Sequence, residues 1–108
     1  MINLKQNDTG PPIKASLRDD LGNPLDLRGN TKVVFILKNA RTGAVAVYGY
    51  ATVTRALYGR VRYDWGAGDL ATPGTYKGEF EITYGNGRIE TCPSHTWIDL
   101  TVMPELSA

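Results

Sequence analysis

Apolar residues in this chain recur at every second position, in short stretches punctuated by twelve Gly and six Pro. A period of two sends successive side chains to opposite faces of a strand, so the chain is committed to β-structure with one dry face and one wet one. Tyr76, Phe80, Ile82 and Tyr84 share a phase with Gly78, while Lys77, Glu79, Glu81 and Thr83 take the other. Val61, Tyr63 and Trp65 alternate in the same way with Arg60, Arg62 and Asp64, and Ile98, Leu100 and Val102 with Trp97, Asp99 and Thr101. No window of twelve residues carries a capped amphipathic helix.

Weaker signals fill the rest. Ile13, Ala15 and Leu17 form a strand between Pro11-Pro12 and Asp19-Asp20, with Leu25 and Leu27 closing it after the Gly22-Asn23-Pro24 turn. Val33 to Leu37 is apolar in both phases and rich in β-branched residues, which predicts a central strand covered on both faces. Asn39 to Gly43 reads as the turn into Ala44 to Ala56, where Val45, Val47 and Val53 hold one phase, Tyr48 and Tyr50 the other, and Gly49 marks a bulge or break. Gly85-Asn86-Gly87 is a hairpin signal, because Asn and Gly tolerate positive φ. Thr72-Pro73-Gly74 suits a type II turn. Tyr76 follows where sandwich domains tie a corner with a Tyr hydroxyl, and Gly78 stands where antibody-type domains carry a disulfide Cys. Together these predict seven or eight short strands in an all-β, antiparallel, two-sheet sandwich of immunoglobulin type, one domain over residues 1–108, with Trp65 at the centre of its core.

The inventory of reactive groups is thin. Cys92 and His95 are the lone thiol and imidazole, and an extended spacing of three residues sets them roughly 10 Å apart on opposite faces, which speaks against a catalytic dyad. Zinc needs three or four Cys, His or acidic ligands, and the chain holds one Cys and one His. Asp19, Asp20 and Asp26, or Asp64 and Asp69, are either calcium ligands or solvated turn carboxylates, and their spacing favours the latter. Gly66-Ala67-Gly68 leads to Asp69 and no helix start, a poor cradle for phosphate. The expectation is a protein that is not an enzyme and needs no cofactor. Trp97, Tyr48 and Tyr50 look outward and are the candidate interface residues, for a polypeptide partner or a sugar ring.

A formal charge of +1 draws the chain towards neither nucleic acid nor anionic lipid. The longest aliphatic or aromatic run, Val33 to Leu37, is too short to span a membrane, and the N-terminal residues lack the pattern of an export signal. Charge order is less even: residues 1–62 carry ten basic and four acidic side chains, and residues 63–108 two basic and seven acidic. Either the two halves interleave, so that Lys77, Glu79 and Glu81 neutralise Arg60 and Arg62, or one edge or end is basic and the other acidic, which would favour head-to-tail contacts between copies.

Asp8-Thr9-Gly10-Pro11-Pro12, Leu17-Arg18-Asp19, Gly22-Asn23-Pro24-Leu25-Asp26-Leu27, Val33-Val34-Phe35, Tyr63-Asp64-Trp65, Gly68 to Tyr76, Glu79 to Thr83 and Gly87 to Pro93 together form a pattern. Over residues 8 to 102 it resembles the immunoglobulin-like N-terminal domain of bacteriophage baseplate upper proteins and related tail proteins. The resemblance implies a non-enzymatic structural component of a tailed-phage virion, in the tail, baseplate or a fibre junction, assembled in the host cytoplasm. Its implied partners are other tail or baseplate proteins and further copies of itself, with no nucleic acid and no membrane insertion; the alternative is a carbohydrate-binding module contacting the host surface.

Overall fold

In the computed structural model, which describes residues 2–93 and 96–106, two β-sheets pack face to face. The strands are β1 (Ile2–Lys5), β2 (Ile13–Ser16), β3 (Lys32–Asn39), β4 (Val45–Tyr50), β5 (Thr52–Arg55), β6 (Arg60–Tyr63), β7 (Gly74–Thr83), β8 (Ile89–Cys92) and β9 (Ile98–Met103). A single 3-10 turn, Ala56–Tyr58, is the only helical element among the described residues. The larger sheet runs β1-β9-β7-β3-β4, with β8 also pairing with β7; the smaller runs β2-β6-β5. The expected immunoglobulin-like sandwich is therefore present, with two differences. Strands number nine among the described residues, and β1 lies parallel to β9, Ile2 opposite Leu100 and Leu4 opposite Val102.

Alternation sorts the side chains as expected in β6, β7 and β9: Val61, Tyr63, Tyr76, Phe80, Ile82, Leu100 and Val102 are all buried. Phe35 rather than Trp65 is the centre. Its ring is fully buried, stacks on Tyr63 at 4.9 Å, meets Phe80 at 5.1 Å and receives Trp65 edge-on at 5.7 Å. Trp65 sits towards one end of the core, where its indole N–H donates to the Pro11 carbonyl at 3.0 Å. Gly78 makes room for the central ring. A Cβ there would lie 3.2 Å from Phe35, so the place of an antibody-type disulfide is taken by an aromatic face.

β3 is central, as expected, but only one of its faces meets the other sheet. Val33, Phe35 and Leu37 point into the core, while Val34 and Ile36 point outward between β4 and β7, where Val34 is nonetheless buried and Ile36 half-buried, so the outer face is covered in part as expected. Gly49 is no bulge. It pairs in register with Phe35, and a Cβ on it would approach the Tyr63 ring to 3.0 Å. The irregularity lies at Ala46: Leu37 faces Val47 but Lys38 faces Val45, and this extra residue turns Val45 outward, against its expected inward phase. At Ala51 the chain leaves the larger sheet, its N–H donating to the Val33 carbonyl at 2.8 Å, and joins the smaller one as β5. Leu25 and Leu27 are buried but extend no strand; their N–H groups donate to the carbonyls of Leu17 and Ala56.

The turns follow from their residues. The Tyr84 N–H bonds the Arg88 carbonyl and Gly87 takes φ 87°, which closes the expected hairpin. Thr72-Pro73-Gly74 is not a type II turn, since Gly74 adopts φ 150°. The corner is tied by the Tyr76 hydroxyl, which donates to the Thr72 carbonyl at 2.6 Å. Asp69 organises the neighbouring loop by accepting from the Tyr63 hydroxyl at 2.6 Å and the Gly66 N–H at 2.8 Å.

These contacts set three expected outcomes in urea denaturation. Phe35→Ala lowers the unfolding free energy by about 3–5 kcal/mol. Tyr76→Phe lowers it by about 1 kcal/mol, the worth of one intramolecular hydrogen bond. The third concerns pH. Burial, and then the bond to Asp69, hold the Tyr63 phenol above its usual range. The unfolded chain gives up that proton near pH 10 while the native one keeps it, so the stabilisation is complete below about pH 10 and is lost as pH rises beyond it. Between about pH 9 and about pH 11 the wild type therefore loses more stability than Tyr63→Phe; equal losses would remove Tyr63 from the alkaline transition.

Candidate interaction surfaces

The outer face of the larger sheet brings the candidate interface residues together. β3 stands between β4 and β7, with Tyr50 opposite Val34 and Val34 opposite Glu81, and with Tyr48 opposite Ile36 and Ile36 opposite Glu79. Tyr48 and Tyr50 are 66% and 73% exposed, among the most open large side chains of the molecule. Trp97, immediately before β9, is half exposed, and the Lys77 ammonium lies over its ring at 4.0 Å from the centroid. A shallow groove of about 240 Å³ separates this pair from the β3–β4 turn, lined among others by Ile36, Lys38, Gly43 and Glu79. Since Ile36 borders both the groove and Tyr48, the three aromatic residues belong to one surface. Their sequence phase gave their exposure; their proximity arises only because β3 separates β4 from β7.

Backbone geometry adds a second property to this surface. In an antiparallel ladder the hydrogen-bonding residues alternate, and the Ala51 N–H points at β3. Those of Gly49 and Val47 do likewise, which leaves the N–H and C=O groups of Tyr48 and Tyr50 directed away from the sheet. β4 is an edge strand. No charge and no proline interrupts the sequence from Ala44 to Thr54, so of the devices that usually blunt an edge this strand carries the bulge at Ala46 and neither of the other two.

The outer face of the smaller sheet is different, and sequence reasoning missed it. Lys14 lies opposite Arg62, Ser16 opposite Arg60, and Arg55 opposite Arg60 on its other side, so four cations occupy adjacent register positions. Arg62 has a partner in Asp64 at 3.3 Å. Lys14, Arg55 and Arg60 have no ion pair among the described residues. The expectation that Lys77, Glu79 and Glu81 neutralise Arg60 and Arg62 fails because β7 and β6 belong to different sheets.

Cys92 and the turn carboxylates of Asp19 and Asp26 make local contacts within the fold. Cys92 is buried with its thiol directed at the Arg18 carbonyl at 3.5 Å, and burial pushes that thiol above its ordinary range, away from the reactive thiolate. His95 lies outside the described residues. Asp19 accepts from the N–H groups of Leu21 and Asn23, and Asp26 holds the Arg28 guanidinium, which lowers its own carboxyl. Among the described residues no three Cys, His, Asp or Glu side chains are grouped to hold a metal ion.

No family model matches this chain, and no curated protein matches it by sequence. Among solved structures it is similar to CopC from Methylosinus trichosporium OB3b, with a TM-score of 0.52 and 14% sequence identity over 96% of this chain and 84% of that one. At that identity the likeness shows the shared sandwich. The neighbour is CopC and not a virion protein, which overturns the expectation of a tail, baseplate or fibre-junction component.

Proposed function

We propose that this chain is a non-catalytic contact module that joins another polypeptide through the β4 edge and the aromatic outer face beside it, and that a second copy of the chain satisfies this surface. The observation that carries the reading is the charge-free edge strand whose unpaired backbone groups belong to the two most exposed tyrosines of the same face. Antiparallel pairing of β4 with its symmetry mate about Tyr48 sets Tyr48 against Tyr48 and Val47 against Gly49, up to the bulge at Ala46. That register keeps inward residues inward and outward ones outward, as strand pairing requires. It is isologous, so it closes as a two-fold dimer instead of growing into a filament.

Sedimentation equilibrium tests it. The wild type is expected to be dimeric at concentrations on the order of 100 μM, and Tyr48→Lys, which places a charge on the edge without touching the core, is expected to shift the midpoint of association upward by at least about tenfold. A monomeric wild type at that concentration overturns the reading, and so does a Tyr48→Lys variant that associates as the wild type does.

A further inference from the structure

We infer that the outer face of the three-stranded sheet is a docking site for an extended acidic segment of a partner protein, independent of the β4 edge. The face consists of Lys14 and Ser16 on β2, Arg60 and Arg62 on β6, and Thr52 and Arg55 on β5. Its two facing pairs, Lys14 with Arg62 and Arg55 with Arg60, are like-charged, an arrangement that costs stability in a sheet and that mixed signs would relieve. The larger sheet also sets Lys38 opposite Lys77, but there Lys77 faces Asp99 on its other side and Glu79 and Glu81 follow along the strand, which supplies that relief. The smaller has only Asp64, at one end. A groove of about 350 Å³ on this face is lined by Lys14, Ser16, Thr54, Arg60 and Arg62, and also by Ala15 and Val61. Charge complementarity therefore defines an anionic occupant, and hydroxyl groups beside guanidinium forks suit carboxylates held by two hydrogen bonds.

Spacing narrows the class. Arg60 and Arg62 are alternate residues of one strand, about 6.7 Å apart, which is the interval between side chains on one face of another extended chain. An acidic segment with carboxylates at every second residue matches that interval. Single-stranded nucleic acid is less suited, because it is gripped by aromatic stacking as well as by charge, and no strand position on this face carries an aromatic ring. The formal charge of +1 hides the site, since it sums over both sheets.

The test uses the full chain and a fluorescent peptide of alternating Glu and Ser, with a peptide of the same composition in Glu and Ser blocks, heparin and a single-stranded oligonucleotide as comparisons. At low salt the alternating peptide is expected to bind more tightly than the other three. Its affinity is expected to fall as the screening length drops from about 10 Å at 0.1 M salt to about 3 Å at 1 M. Arg60→Gln with Arg62→Gln is expected to weaken it at least about tenfold while circular dichroism and the dimer midpoint stay unchanged, which separates this face from the β4 edge. Absence of peptide binding at low salt, an unaffected double variant, or tighter binding of the block peptide, heparin or the oligonucleotide overturns the inference.

Discussion

The Phe35 ring governs how closely the two sheets approach. It lies on the central strand of the larger sheet and reaches Tyr63 on the smaller one, and the surrounding positions are cut to its size. Gly78 beside it and Gly49 under Tyr63 are the two places where a methyl group would press on an aromatic ring, at 3.2 and 3.0 Å. Both glycines lie within strands, where the residue is ordinarily a weakness. Here the backbone freedom they concede is offset by ring–ring contact across the sandwich. A disulfide-free core of this size holds because dispersion and burial are concentrated on one aromatic cluster.

Chain path decides what each sheet shows to water. The switch at Ala51 carries one charge-poor stretch along both sheets, so that a single segment forms an edge of each. It also puts Arg55 on the smaller sheet, where the long-range pairing of β2 with β6 has already gathered Lys14, Arg60 and Arg62. The two outer faces acquire opposite chemical character as a result: aromatic and mixed in charge on one side, hydroxylic and cationic on the other.

Much of this was legible in the sequence where the signal is local. The alternation in β6, β7 and β9 gave the inward residues, Gly85-Asn86-Gly87 gave the hairpin, and the position of Tyr76 after Thr72-Pro73 gave the corner. The failures share a cause, which is that local pattern does not encode distant partners. Glycine within a strand signals either a bulge or a close approach, and only the Tyr63 ring distinguishes the two at Gly49. Val45 was misplaced because a one-residue bulge at Ala46 inverts the phase without altering the pattern. Ile2 and Leu4 are too few to announce β1, which exists because β9 offers it a parallel edge. The cationic face escaped notice because net charge and charge order along the chain are both blind to which strands become neighbours.

That parallel pairing of β1 with β9 bears on how the molecule carries mechanical load. Antiparallel partners pulled from adjacent ends open one bond at a time. Parallel partners drawn apart at Ile2 and Met103 slide along each other, and the ladder from Ile2–Leu100 to Lys5–Met103 is strained together in shear. Tension entering through β1 and leaving through β9 is thus met by the whole ladder at once, while the same tension applied across the Tyr84–Arg88 hairpin would unzip β8 from β7 step by step.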